Sequence, residues 1–511
     1  MILLVHTGEE VYEIIDLKTN QIVFNTIKKP AKVLFIIANK YKERLLVWCH
    51  ISQKDNINFE ALKASFHLKN MMLSYSGEPY LPLQIGYVED SPFLKVNKTV
   101  KYPTWLMSSN VGAIHASQLL RFESKIKLNQ PFDFVLNSIA KLGMPNGLLC
   151  YSEPNLLIIK NAEKSLVKAK NYQLFKFVKQ HYKSVWCVLL LLNFMVYEKR
   201  FPIISFIRTL FFKNLKFSSD FDLEPLCEQE IKDVSIDVII PTLGRKAFLH
   251  DVLLDLEKQT FLPKQVIIVE QNEDKNSKSD LDFIANNVWP FKIIHKFIHQ
   301  TGACNARNMA LKEVTSDYVY LADDDNKFDS NLLEKVIHKV QYFNFSAITM
   351  SYLQKNEVEK YNKPIQWNAF GGGCSVICSK FLNKISFHMA YEFGYGEDTD
   401  FGMQLRNLGA DIIYMPDIKI LHLKAPIGGF RTKFKHPWEL EKGLQPKPSP
   451  TVMLSRMSNT TKHQLLSYKT NLFIKFYKSQ KIKNPFKYYS TFKKQWQVSL
   501  LWANKLKENP L

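Results

Sequence analysis

The chain is poor in glycine, 18 of 511 residues, which excludes collagen-like and glycine-rich repeat architectures. It has only seven cysteines, spread from Cys49 to Cys378 without a Cys-x-x-Cys pair. That count and spacing exclude a disulfide framework and argue against a zinc ribbon or a thioredoxin-type site. Long apolar runs are missing too. The run at 185–197 is broken at Asn193 and closed by Lys183 on one side and Glu198-Lys199-Arg200 on the other; it is short of the roughly 20 residues a membrane span needs. Residues 1–6 lack the basic segment and long apolar core of a signal peptide. A reducing, cytoplasmic location is therefore expected, at most peripheral at the inner face of the membrane.

Acidic residues are the other shortage: 48 Asp and Glu against 68 Lys and Arg, for a net charge of +20. The excess sits in two places. Residues 161–216 carry 11 Lys/Arg and 2 Asp/Glu, and residues 431–511 carry 17 and 3. The rest of the chain is close to neutral. Basic segments of this kind face an anionic partner, or are solvated helix faces. No helix-turn-helix, zinc-finger or RNA-recognition signature accompanies them, so nucleic acid is not the expected partner. Lipid headgroups or a phosphorylated substrate are.

With 46% hydrophobic and 23% charged residues the chain has a globular composition. Four stretches are expected. Residues 1–160, with short apolar runs at 2–5, 33–38, 45–49 and 148–150, read as an α/β domain. Residues 161–220 read as a basic, apolar helical linker, suited either to a membrane interface or to burial between domains. Residues 221–430 read as a second α/β domain, and 431–511 as a basic helical extension. In the second domain the segments Ile236-Asp-Val-Ile-Ile-Pro241, Gln265-Val-Ile-Ile-Val-Glu270, Phe291-Lys-Ile-Ile-His-Lys-Phe297 and Tyr318-Val-Tyr-Leu-Ala322 predict strands. Helical patterns at 245–259 and 303–314 separate them. Continuously apolar strands alternating with helices indicate a mostly parallel sheet covered on both faces.

Such sheets bind ligands at the carboxyl ends of their strands. Polar clusters fall at three of those ends: Pro241-Thr-Leu-Gly-Arg245, Glu270-Gln-Asn272 and Asp323-Asp-Asp-Asn326. Three adjacent carboxylates repel one another unless something compensates. Mg²⁺ or Mn²⁺, which prefers carboxylate oxygens together with substrate phosphates, would do so; a solvated loop or a helix cap is the alternative. A second acidic cluster, Gly394-Tyr-Gly-Glu-Asp-Thr-Asp400, precedes a helical pattern and follows Phe370-Gly-Gly-Gly-Cys374. Two separate acid clusters suit two roles, cation binding and proton removal from a hydroxyl.

Together these segments resemble the family 2 glycosyltransferases over about 236–430. Val238-Ile-Ile-Pro-Thr-Leu-Gly-Arg245 is similar to their opening strand, and Thr301-Gly-Ala-Cys-Asn-Ala-Arg-Asn308 to their Gly-x-x-x-Ala-Arg-Asn segment. Leu321-Ala-Asp-Asp-Asp-Asn326 resembles their DxD metal motif, Gly396-Glu-Asp-Thr-Asp400 their Glu-Asp motif, and the glycines at 371–373 the segment behind the donor sugar. The resemblance implies a GT-A fold, Rossmann-like and mostly parallel, a nucleotide-sugar donor (a UDP-sugar favoured), a Mn²⁺ or Mg²⁺ cofactor and inversion at the anomeric carbon. Carried over, Pro241, Thr242, Arg245, Glu270, Asn272, Arg307, Asn308, Asp323, Gly372 and Gly373 bind the donor. Asp324, Asp325 and His422 hold the metal, and Asp398, with Glu397, is catalytic. Glu270 stands where Asp is usual, and Ala322 occupies the leading position of the longer metal pattern, so the register of the three carboxylates stays open.

The first domain reads as a degenerate copy of the second. Residues 105–120 align without gaps with 367–382, and 132–143 with 398–409, which sets Phe132 opposite Asp398. No Asp triplet occurs there. A non-catalytic GT-A-like domain is expected, for acceptor binding or for dimerisation into a homo-oligomer. The implied function is glycosyl transfer to a glycan or lipid-linked glycan in bacterial surface polysaccharide synthesis. A catalytically inactive carbohydrate- or partner-binding protein is the alternative.

Overall fold

A computed structural model of the chain describes residues 1–24, 28–159, 167–226, 231–426, 434–441 and 443–508. They form two compact bodies. The first comprises Met1–Glu228, Lys363–Gln366 and Thr461–Thr470; the second comprises Gln229–Asn362, Trp367–Thr460 and Asn471–Leu511.

The first body is built on strands β1 (Ile2–His6), β2 (Val11–Asp16), β3 (Gln21–Phe24), β4 (Leu45–His50), β5 (Met71–Tyr75), β6 (Tyr102–Pro103), β7 (Val111–His115) and β8 (Leu149–Ser152). They lie in the order β3-β2-β1-β4-β7-β5-β8-β6. Helices α1 (Pro30–Lys40), α2 (Phe59–Ser65), α3 (Ala116–Leu120) and α4 (Phe132–Gly143) belong to the sheet-bearing part; α5 (Asn171–His181), α6 (Val185–Asn193) and α7 (Ile203–Thr209) follow. The apolar run at 33–38 is the buried face of α1, which Pro30 opens at its first turn.

The second body carries β9 (Ile236–Leu243), β10 (Gln265–Gln271), β11 (Lys292–Ile298), β12 (Tyr318–Ala322), β13 (Asn326–Phe328) and β14 (Ala347–Leu353). A two-residue strand, β15 (Ile365–Gln366), falls within the first body. Strands β16 (Cys374–Cys378) and β17 (Ile412–His422) complete the second sheet, in the order β11-β10-β9-β12-β16-β14-β17-β13. The four segments expected as strands are β9 to β12. Strand β9 lies parallel between β10 and β12. Its inner residues, like all of β10, are buried, as continuously apolar strands covered on both faces should be. Asp237 is the polar exception. Its carboxylate accepts from Gln265 Nε2 and from the Thr315 and Ser316 N–H groups, pinning β9 to the turn before β12. Helices α8 (Lys246–Glu257), α9 (Phe283–Asn286), α10 (Ala303–Leu311), α11 (Leu332–Tyr342) and α12 (Glu397–Asn407) complete this mixed α/β architecture.

The C-terminal region is helical: α13 (Pro437–Leu440), α14 (Pro450–Asn459), α15 (Lys462–Ser479) and α16 (Pro485–Glu508). Its aromatics do the packing. Tyr488, Phe492 and Trp496 recur every fourth residue on the buried face of α16, and Phe473 of α15 stacks on Tyr488 at 4.8 Å.

The two sheets share a pattern. In the order β1-β4-β7-β5-β8 the successive pairings are parallel, antiparallel, antiparallel and parallel. The order β9-β12-β16-β14-β17 repeats them. One detail of the sequence alignment shifts. Helix α4 begins at Phe132 and α12 at Glu397, so the second residue of each is an aspartate, Asp133 and Asp398. Each accepts a backbone N–H from the segment just before an equivalent strand, β7 or β16: Asp133 from Ser109, Asp398 from Gly372. Asp133, not Phe132, therefore matches Asp398; the pairing of 132–143 with 398–409 is one residue out, across a connecting loop that differs in length between the two halves. The strand ends of the first body are filled. Phe132 packs edge-on against His6 and Trp48, and Trp48 donates to the Ser108 carbonyl.

Candidate active site

Three features bring the site together at the carboxyl ends of β9 and β12. Strand β9 delivers Pro241 and Thr242, then turns through Gly244 (φ 63°) to set Arg245 ahead of α8. Strand β12 ends at Ala322 and releases the three aspartates. Ala322 pairs with Cys374 of β16, which lays the preceding glycines against the acidic turn. A Cβ on Gly373 would sit 2.1 Å from Asp323 Oδ2, and one on Gly372 would sit 2.5 Å from Asp398 Oδ1. Only glycine permits that approach.

The result is a pocket of about 380 Å³. Pro241, Thr242, Arg245, Arg307, Asp323, Asp324, Asp325, Gly372, Gly373, Glu397, Asp398 and His422 all line it. Glu270, Asn272 and Asn308 are not among its lining residues. Glu270 accepts from His295 (2.8 Å) and Ser279 (2.5 Å), tying β10 to β11 and to the loop beyond it. Asn272 holds its own turn through the Asp274 N–H. Asn308 grips the backbone of Phe387 twice, donating to its carbonyl at 2.7 Å and accepting from its N–H at 2.8 Å.

The three aspartates part company. Asp324 is buried, and both of its oxygens are taken, by Thr242 Oγ1–H at 2.7 Å and by an Arg245 N–H at 2.6 Å. Burial outweighs these partners and raises its pKa to about 6. Asp323 accepts from Arg307 at 2.9 Å and from the Tyr352 hydroxyl at 3.3 Å. Asp325 accepts the Ala425 N–H at 2.8 Å and lies 3.5 Å from both His422 Nε2 and an Arg245 N–H. Burial pushes Asp325 up, but these neighbours outweigh it and hold the carboxyl below its ordinary value. Tyr352, which no motif flagged, stacks on His422 with ring centroids 4.5 Å apart.

Helix α10 brings Arg307 to the pocket, over the ring of Phe387, while Asn308, about 100° further round the helix, is held on the Phe387 backbone. Its N-terminus starts at Gly302 (φ 136°), where the Glu392 carboxylate accepts the N–H groups of Cys304 and Asn305. An anion at this end satisfies orphan donors and suits the helix dipole. Glu392 lies six residues ahead of Asp398 with no pattern marking it, so sequence reasoning passed it over.

Helix α12 starts at Gly396 (φ 124°) and carries Glu397 and Asp398 in its first turn. Asp398 Oδ2 accepts the Gly372 N–H at 3.0 Å. Asp398 lines the pocket, and its Oδ1 is buried with no hydrogen-bond partner. Burial raises the Asp398 pKa against the pull of Arg307; burial and the neighbouring Asp398 charge raise that of Glu397. A carboxylate with one oxygen fixed and one free, raised toward neutrality, has the character of a general base.

Among the described residues no three His, Cys, Asp or Glu side chains are gathered to hold a metal by themselves. Asp325 and His422 nonetheless turn a carboxylate oxygen and an imidazole nitrogen toward each other at the pocket wall. One or two carboxylates with substrate phosphates completing the shell is how Mg²⁺ is commonly held. The Asp325 carboxylate fits such an ion; the His422 imidazole is a donor that transition metals favour.

Residues 237–397 match the family model described as Glycosyl transferase family 2. An uncharacterized glycosyltransferase of Rickettsia conorii is 25% identical over 147 residues, 29% of this chain and 24% of that protein. The GalNAc(5)-diNAcBac-PP-undecaprenol beta-1,3-glucosyltransferase of Campylobacter jejuni is 22% identical over 104 residues, 20% of this chain and 34% of that protein. The chain thus spans only a minor part of these relatives' lengths. Among solved structures, S. aureus TarS 1-349 in complex with UDP-GlcNAc aligns at 16% identity and a TM-score of 0.35, covering 46% of this chain and 70% of that one. No helix among the described residues is long and apolar enough to cross a membrane. The stretch 237–397, which holds the pocket's acidic turn, Arg307 and the Glu397–Asp398 pair, is thus similar to the family 2 glycosyltransferases.

Proposed function

We propose that the second body is an inverting glycosyltransferase. It takes a sugar from a nucleotide-sugar donor, a uridine diphosphate sugar foremost. It passes that sugar to a hydroxyl of a glycan or lipid-linked glycan acceptor in bacterial surface polysaccharide synthesis, such as capsule or the O-antigen of lipopolysaccharide. The observation that carries this reading is that Asp398, whose buried Oδ1 has no hydrogen-bond partner, lines one pocket together with Arg245, Thr242 and the acidic turn.

The residues divide the work. Arg245 and Thr242, already fixed on Asp324, offer the nucleotide end a charged and a hydroxyl contact. Arg307, braced by Asp323, puts positive charge beside the glycine segment where the sugar would lie. Asp398 takes the proton from the acceptor hydroxyl. The oxygen attacks the anomeric carbon from the face opposite the diphosphate, and that bond breaks as the new one forms. Asp325 and His422 would hold a divalent cation, which when bound offsets the charge on the diphosphate. The first body supports a non-catalytic part, since aromatic side chains occupy its strand ends and His50 stands where β12 is followed by carboxylates.

The test is donor hydrolysis, which needs no acceptor. The full chain is incubated with single nucleotide sugars and Mn²⁺, and nucleotide release is followed by phosphorus NMR. Turnover of one donor is the expected outcome; stability of every donor offered would count against the proposal.

A further inference from the structure

Among the described residues, the stretch 185–216 carries ten exposed large apolar side chains. On α6 and the turn after it, Val185, Val188, Met195 and Val196 are exposed, while Cys187, Leu190, Asn193 and Phe194 face inward. The exposed positions recur at i, i+3, i+10 and i+11, one side of a helix. Helix α7 repeats the arrangement. Phe206 packs against Phe175 of α5 and Thr209 is buried. Ile203, Ile204, Ile207, Leu210 and Phe211 point outward, with Ile204 76% and Phe211 87% exposed. Phe201 adds a further exposed ring. Isolated surface apolar residues are ordinary; a run of ten in 27 residues on two consecutive helices marks an interaction surface.

What covers it is indicated by charge. Residues 199–216 contain five Lys/Arg and no Asp or Glu. Lys199, Arg200, Arg208, Lys213 and Lys216 are exposed beside the apolar side chains. The one nearby acid, Glu198, is spent on Arg200 and Gln84. A two-fold contact with a second copy would set this cationic rim against itself. An anionic bilayer accepts both parts at once: apolar side chains enter the acyl boundary and cations stay among the headgroups. We infer that the outer faces of α6 and α7, with the cations of 199–216, dock the protein on an anionic lipid surface. This surface uses no residue of the pocket, so it stands or falls apart from the proposed transfer reaction.

The experiment is co-sedimentation of the full chain with vesicles, backed by fluorescence. Phosphatidylcholine vesicles with about 30% phosphatidylglycerol should bind the protein at about 0.1 M salt at least tenfold more tightly than pure phosphatidylcholine, with the difference shrinking near 1 M. Ile204→Asp with Phe211→Asp should weaken binding by about tenfold or more. Both side chains are exposed, so the melting temperature and donor hydrolysis should be unchanged. A Phe211→Trp variant should shift its emission to the blue on vesicle addition and be quenched by brominated acyl chains. Three results would each overturn the inference: no preference for anionic vesicles, equal binding by the double Asp variant, or a dimer in light scattering that the double Asp variant dissolves.

Discussion

Replacing Asp398 with Asn is the sharpest single perturbation, because it separates chemistry from folding. The Asn carbonyl oxygen can still accept the Gly372 N–H that Asp398 Oδ2 accepts at 3.0 Å. The amide then occupies the place of the unpartnered Oδ1 and cannot take a proton. A general base contributes about 10²- to 10⁴-fold, or about 3–5 kcal/mol of barrier. Asp398→Asn should therefore lower kcat for donor turnover by that factor with the donor KM changed by less than about threefold. Stability should move the other way. Folding raises the Asp398 pKa through burial. A carboxyl raised on folding stabilises the native state below its unfolded value, near 4. That contribution is lost as pH climbs through the folded value, leaving the ionised group a cost at pH 8. Asn removes the cost, so the variant should melt at or above the wild-type temperature at pH 8 and lose any advantage near pH 4. Wild-type kcat should also fall as pH drops and the raised Glu397–Asp398 pair takes up a proton, and the variant should lack that limb. The assay is initial-rate nucleotide release across pH, with calorimetry on the same samples. A kcat within about threefold of wild type with the fold intact would refute the assignment.

Two further substitutions test the architecture around the pocket. Gly373→Ala places a methyl group 2.1 Å from Asp323 Oδ2, so Asp323 must leave Arg307; we expect a loss of about 1–3 kcal/mol in urea unfolding and nucleotide binding at least tenfold weaker by calorimetric titration. Asn308→Ala removes both hydrogen bonds to Phe387 and leaves a buried carbonyl and N–H unmet; unfolding should become easier by about 2 kcal/mol, while the donor KM stays near wild type because Asn308 does not line the pocket.

Much of this was legible in the residues themselves. Strands β9, β10 and β12 announce themselves as apolar runs buried on both faces, and β11, the half-buried edge strand, as a β-branched and aromatic run; turn and helix signals bound all four. Strands β13 and β16 do not: Asn326-Lys-Phe328 and Cys374-Ser-Val-Ile-Cys378 are short and partly polar, and they gain strand character only from their partners β17 and β12. Motif spacing located the pocket, because Arg245, Arg307, the acidic turn, the glycines and the Glu397–Asp398 pair are all fixed by adjacent backbone. It could not separate Arg307, which lines the pocket, from Asn308, its neighbour about 100° round the helix, which does not. Nor could it find Tyr352 or Glu392, which act alone and far from any pattern. The one-residue slip between Phe132 and Asp133 has the same cause: a loop between strand and helix absorbs length without any trace in composition.

The most direct test of the donor site is thermal unfolding with UDP and with GDP, each with and without Mn²⁺. A ligand at about 100 times its Kd that binds only the native state adds about 2.7 kcal/mol. The expected result is stabilisation by one nucleotide, greater with Mn²⁺, and lost when Arg245→Ala frees Asp324 from its 2.6 Å partner. Equal melting with and without every nucleotide, or a shift that Arg245→Ala leaves intact, would contradict the placement of a nucleotide-sugar site in this pocket.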